Sequence, residues 1–70
     1  MKYKLLFPKV VGSVYPCGKY WRFSVSYSDG SGHVSDWHPG KRGAMNLAMW
    51  EARRIANDYK TKPRWILLNE

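Results

Sequence analysis

Cysteine occurs once in this 70-residue chain, at Cys17, so no disulfide can form within it. A reducing, cytoplasmic compartment is the expectation. Long apolar runs are also missing. No segment approaches the ~18 residues of a membrane helix, and MKYKLLFPKVVG is too short and too interrupted for a signal peptide. A membrane partner is therefore not expected. Acidic residues are scarce: five Asp and Glu face twelve Lys and Arg, for a net charge of +7. Asp29 reads as turn chemistry, Asp58 lies near a helix end and Glu70 is terminal; Asp36 and Glu51 complete the set. These acids make no paired-carboxylate site, and neither a P-loop nor a serine elbow is present. No catalytic residues and no cofactor are expected. In HVSDWH, His33 and His38 fall on opposite faces of a strand and do not share an ion, so no metal is expected either. Nothing in the sequence places a histidine beside Cys17 to activate it.

Aromatic residues are plentiful. Four Trp and five Tyr raise the aromatic share to 16%, and hydrophobic residues make up 44%. That composition suits one folded domain, residues 1–70, rather than a disordered tail. A domain of this size cannot bury all of its aromatic side chains. The basic residues are spread along the chain, so the excess charge belongs to a folded surface. Such a surface attracts polyanions, of which nucleic acid is the commonest, or serves as an ordinary solvated face.

The pattern predicts an α+β fold, a three- to four-stranded antiparallel sheet covered on one face by a single helix. KYKLLF reads as a first strand stopped by Pro8. VVGSVYPCG, with Gly12, Pro16 and Gly18, reads as a short strand or a loop. KYWRFSVSY is the clearest strand, because Trp21, Phe23, Val25 and Tyr27 alternate with Tyr20, Arg22, Ser24 and Ser26. SDGSG is a hairpin signal, HVSDWH the returning strand, and RWILL, after Pro63, a candidate last strand. Between them, AMNLAMWEARRIANDYK predicts a helix over 44–60. Its stripe of Ala44, Ala48, Ala52, Ile55 and Tyr59 meets the Trp21–Phe23–Val25–Tyr27 face.

The other sheet face has no second helix to cover it. Tyr20, Arg22, Ser24 and Ser26 lie there, with one alternate set from the return strand. An Arg and a Tyr among small hydroxyls can bond phosphates and base edges, or simply face water. At the helix start, HPGKRG offers Lys41 and Arg42 beside free N–H groups and two glycines. These residues form an anion site if the helix begins there, and are loop charges if it begins later. Nucleic acid is the expected ligand, DNA ahead of RNA.

Trp50 is the anomaly. It falls opposite the alanine stripe, beside Arg53 and Arg54. Trp and Arg dominate protein interface anchors, so this trio is a candidate protein-docking site. The alternative is that one of the terminal segments folds over Trp50 and buries it.

GKYWRFSVSYSDGSGHVSDW followed by GKRGAMNLAMWEARRIAND resembles the amino-terminal arm-binding domain of tyrosine-recombinase integrases from phages and conjugative transposons, a family similar to plant AP2 domains. The likeness spans Gly18 to Asp58. It implies a three-stranded sheet lying in the major groove of duplex DNA, with Tyr20, Arg22, Ser24 and Ser26 facing the bases. HPGKRG stands where that family opens its helix with a threonine and an acid, and PRWILL lies outside its pattern. The resemblance implies a binding module of a phage or mobile element. A small, aromatic-rich, one-helix chain also looks like the host-takeover and anti-CRISPR inhibitors of phages. That likeness implies a host protein or ribonucleoprotein complex as partner, with Trp50 as the anchor.

Overall fold

In the computed structural model, which describes residues 1–69, five strands and one helix follow in the order β1 (Lys2–Phe7), β2 (Val10–Cys17), β3 (Tyr20–Tyr27), β4 (Val34–His38), α1 (Lys41–Ala56) and β5 (Arg64–Leu68). The strands form one sheet in the order β4-β3-β2-β1-β5, with every neighbouring pair antiparallel. The first four strands are a meander. The helix then crosses the sheet from the β4 edge and delivers β5 to the opposite edge, beside β1. The expected α+β architecture is present, with five strands rather than three or four.

The additional strand comes from VVGSVYPC, which is the central strand and not a loop. Its two strand-breaking residues sit where they do no harm. A Cβ on Gly12 would come within 3.0 Å of Leu5 Cδ2, so the bare backbone there makes room for a core leucine. Pro16 lies past the last pairing with β1, Tyr3 opposite Val14, where β2 has a neighbour on one side only. At the preceding turn, Pro8 and Lys9 link Phe7 to its partner Val10. Lys9 takes the left-handed φ of 65° that the second central position of a type II turn requires.

Leu5, Phe7, Val10, Val14, Phe23 and Val25 from three strands are buried against Ala44, Ala48, Ala52 and Ile55 of the helix. Three alanines bring the helix axis close to the sheet, and the larger side chains of the strands fill the layer. Phe23 and Val25 meet the helix as expected. Trp21 packs at the margin of the core, and Tyr27 is exposed although its hydroxyl donates to the Ile55 carbonyl.

Both helix ends are set by the backbone. Gly40 is the N-cap; its N–H donates to His38 Nδ1 at 3.0 Å. The His38 ring also lies against Gly43, where any Cβ would overlap the imidazole. The helix stops at Ala56, not near Lys60. Asn57 turns left-handed (φ 51°), and the N–H groups of Asn57 and Asp58 donate to the Arg54 and Arg53 carbonyls. Tyr59 consequently leaves the predicted stripe and is exposed.

Asp58 then organises the link to β5. Its carboxylate accepts the Thr61 hydroxyl (2.6 Å) and the N–H groups of Thr61 (3.1 Å) and Lys60 (3.0 Å). These bonds, the Thr61 hydroxyl foremost, hold the Asp58 carboxyl below the ordinary aspartate range. A depressed folded value stabilises the turn above the unfolded value near 3.8, and that contribution is lost as pH falls through the folded value. An NMR titration should show Asp58 protonating below 3.8, and Thr61→Ala should raise its midpoint. An ordinary midpoint, unmoved by Thr61→Ala, would show that the turn is not held this way.

Candidate nucleic-acid interface

Strand register assigns every exposed side chain of the sheet to a face. Tyr20, Arg22, Ser24 and Ser26 of β3 lie on the side away from the helix, as the alternation implied. Their cross-strand partners complete that face. Arg22 stands opposite Tyr15 on one side and Trp37 on the other. Lys2 continues the row, with Nζ 5.8 Å from the Tyr15 ring centroid. A second row runs Ile66, Lys4, Ser13, Ser24 and Ser35. A third runs Arg64, Leu6, Val11 and Ser26.

Three features make this face distinctive. Its strand positions carry four cations, Lys2, Lys4, Arg22 and Arg64, and no acid among the described residues. Its middle row is serine on three adjacent strands, and those short side chains leave a shallow lane between taller neighbours. Aromatic rings rise at one end: Tyr20 and Trp37 are each 48% exposed, with centroids 4.6 Å apart and planes tilted by 53°. Cys17, Tyr20, Arg22 and Trp37 line a cleft of about 290 Å³ there. Leu6, Val11 and Ile66 are exposed toward the other end.

Lys41 and Arg42 are not part of this surface. The helix does begin at Lys41, with no side-chain cap and no acid in its first turn, as the anion-site expectation required. It begins on the opposite side of the sheet. Lys41 Nζ lies 3.2 Å from the Tyr3 hydroxyl, and Lys41 and Arg42 border a separate cleft of about 390 Å³ with Met45, Asn46, Met49 and Trp65. The six expected nucleic-acid residues therefore divide between the two sides of the sheet, four and two.

Trp50 is 60% exposed, and among the described residues neither terminal segment covers it. Its ring meets Tyr59 edge-on, centroids 6.4 Å apart. The neighbouring arginines are less available than the sequence implied. Arg54 pairs with Glu51 at 2.6 Å, and Arg53 is half-buried, its Nε without a hydrogen-bond partner among the described residues.

Sequence reasoning missed Lys2, Lys4, Tyr15, Trp37 and Arg64 as members of the open face. A signal existed for two of them: KYKL alternates, so Lys2 and Lys4 share one side of a strand. Tyr15 was hidden in a segment that reads as a short strand or a loop, and Trp37 needed the β3–β4 register. Among the described residues no helix is long and apolar enough to cross a membrane, and no cluster of three His, Cys, Asp or Glu side chains could hold a metal. No family model, no curated protein and no solved structure matches the chain.

Proposed function

We propose that the chain is a small nucleic-acid-binding module that engages its ligand through the open face of the sheet. The observation that carries this reading is the coincidence of four cations, no acid among the described residues and exposed rings on the one sheet face that the helix leaves bare. Lysine and arginine neutralise phosphates, serine hydroxyls approach the backbone closely, and rings stack on bases. Tyr20, Arg22, Ser24 and Ser26 are the β3 contribution to that surface. Duplex DNA, the ligand implied by the integrase-like pattern, and single strands are both candidates. Fluorescence anisotropy with labelled duplex and single-stranded oligonucleotides at about 50 mM salt tests the reading, since charge-driven binding is strongest there. Saturable binding weakened by Arg22→Ala is the expected result. No binding to any of them would overturn it.

Exposed Trp50 favours a second reading, docking to a host protein or ribonucleoprotein complex in the manner of a phage inhibitor. Trp50, Tyr59 and Leu47 are large, exposed and separate from the open face. On this reading Trp50→Ala leaves the melting temperature within a few degrees, because no core cavity forms. It costs roughly 2 kcal/mol or more of partner affinity, as a central Trp anchor does. Capture of a partner from host lysate that resists nuclease and requires Trp50 would support it. Capture that nuclease abolishes would return the function to the sheet.

A further inference from the structure

We infer that the Tyr20–Trp37 cleft takes an unpaired base, so that the open face prefers single-stranded nucleic acid to duplex. This rests on the reading of the open face as the binding surface and specifies its ligand.

Width is the first argument. Strands lie ~4.8 Å apart, so the face from β4 to β5 spans ~19 Å. The major groove of B-form DNA is only ~12 Å across and admits a helix or a two-stranded ribbon. A five-stranded face does not fit into it flat, whereas a flexible single strand can lie along the surface.

Ring exposure is the second. Tyr20 and Trp37 are large aromatic side chains left about half open to solvent, on a face where charge alone would satisfy a duplex backbone. Bases in a duplex are already stacked and offer no free ring surface. Unpaired bases do, and stacking on protein rings is how sequence-tolerant single-strand binders hold them. The two rings, at 4.6 Å, stand too close for a base to slide between them, which takes two stacking gaps of ~3.4 Å. Their 53° tilt forms a wedge, and with each residue 48% exposed a base can stack on it from outside.

Placement of charge is the third. Arg22 lines the same cleft and lies directly across from Trp37. A guanidinium there can hold the phosphate next to a stacked base with two parallel bonds. The serine lane gives the sugar–phosphate chain a path away from the cleft.

The test uses three fluorescein-labelled probes of about 12 nucleotides, within the usual site size of single-strand binders: oligo(dT), an abasic oligomer with the same phosphates, and a duplex. The intact protein should bind oligo(dT) at least ~10-fold more tightly than the abasic oligomer, and more tightly than the duplex. Trp37→Ala should weaken oligo(dT) binding about 5- to 150-fold and leave the abasic oligomer unchanged. Trp37→Phe, which keeps a ring, should retain most of the affinity, and circular dichroism checks that both variants fold. Equal binding of oligo(dT) and the abasic oligomer by the unsubstituted protein, or preference for the duplex, would overturn this inference and leave the polyanion reading standing. Failure of all three probes to bind would overturn both.

Discussion

Phe23→Ala should unfold the domain at ambient temperature, while Arg22→Ala, one residue earlier in β3, should leave it folded. Phe23 is 3% exposed and lies in the layer closed by the three helix alanines. Truncating a buried Phe removes its transfer free energy and leaves a cavity, together about 3–5 kcal/mol. Here the cavity cannot collapse easily, since the alanine methyls of the helix are too short to move into it. A domain of this size rarely has more than about 3–5 kcal/mol of stability, so the loss consumes all or most of it. Arg22 points to the bare side, where its exposed side chain supports nothing in the core. Urea titrations followed by far-ultraviolet circular dichroism would measure both variants. A folded Phe23→Ala protein beside an unfolded Arg22→Ala protein would mean that the two faces of β3 are reversed.

That pair of outcomes follows from the part of the fold most legible in the sequence. Strict alternation over eight residues of β3 assigns each side chain to a face before any partner strand is known. The alanine stripe of the helix was equally plain, because Ala44, Ala48 and Ala52 recur at helical spacing and only a closely packed helix needs them small. β2 was obscure for a reason the structure supplies. Gly12 reads as a breaker, yet it is glycine because Leu5 occupies the space of its side chain. Pro16 reads as a terminator, yet it lies beyond the reach of β1. Tertiary contacts, not local preference, make that segment a strand. The helix was placed three to four residues too late, over 44–60 instead of Lys41–Ala56, and its end was missed for the converse reason. Tyr59 continues the apolar period, but the left-handed Asn57 and the Asp58 turn end the helix at the backbone level. The open face was read in the sequence only along β3, since Lys2, Tyr15, Arg22 and Trp37 come together through the registers of four strands.

Removing the four cations of the open face should flatten the salt dependence of nucleic-acid binding, and removing four others should not. Each phosphate neutralised by a lysine or arginine releases counterions. Affinity therefore falls with salt at a log–log slope of about 0.9 per contact on duplex and about 0.7 on single strands. Four contacts give slopes near −3.6 and −2.8. On a single strand, raising salt fourfold then weakens binding about 50-fold. Lys2, Lys4, Arg22 and Arg64, replaced together by Gln, should bring that slope close to zero and reduce affinity most at low salt. Net charge alone would also lower affinity, since the substitutions take the chain from +7 to +3. The matched control replaces Lys41, Arg42, Lys60 and Lys62, also leaving +3. These four are exposed and lie off the five strands, Lys41 and Arg42 beyond the sheet at the helix start. In the control the slope should persist, with only the long-range attraction reduced, and that part is screened beyond ~10 Å at 0.1 M salt. Anisotropy titrations over a salt series would read both slopes. If the control variant loses the slope and the open-face variant keeps it, the phosphates lie along the helix start, and the cleft bordered by Lys41 and Arg42 becomes the binding site.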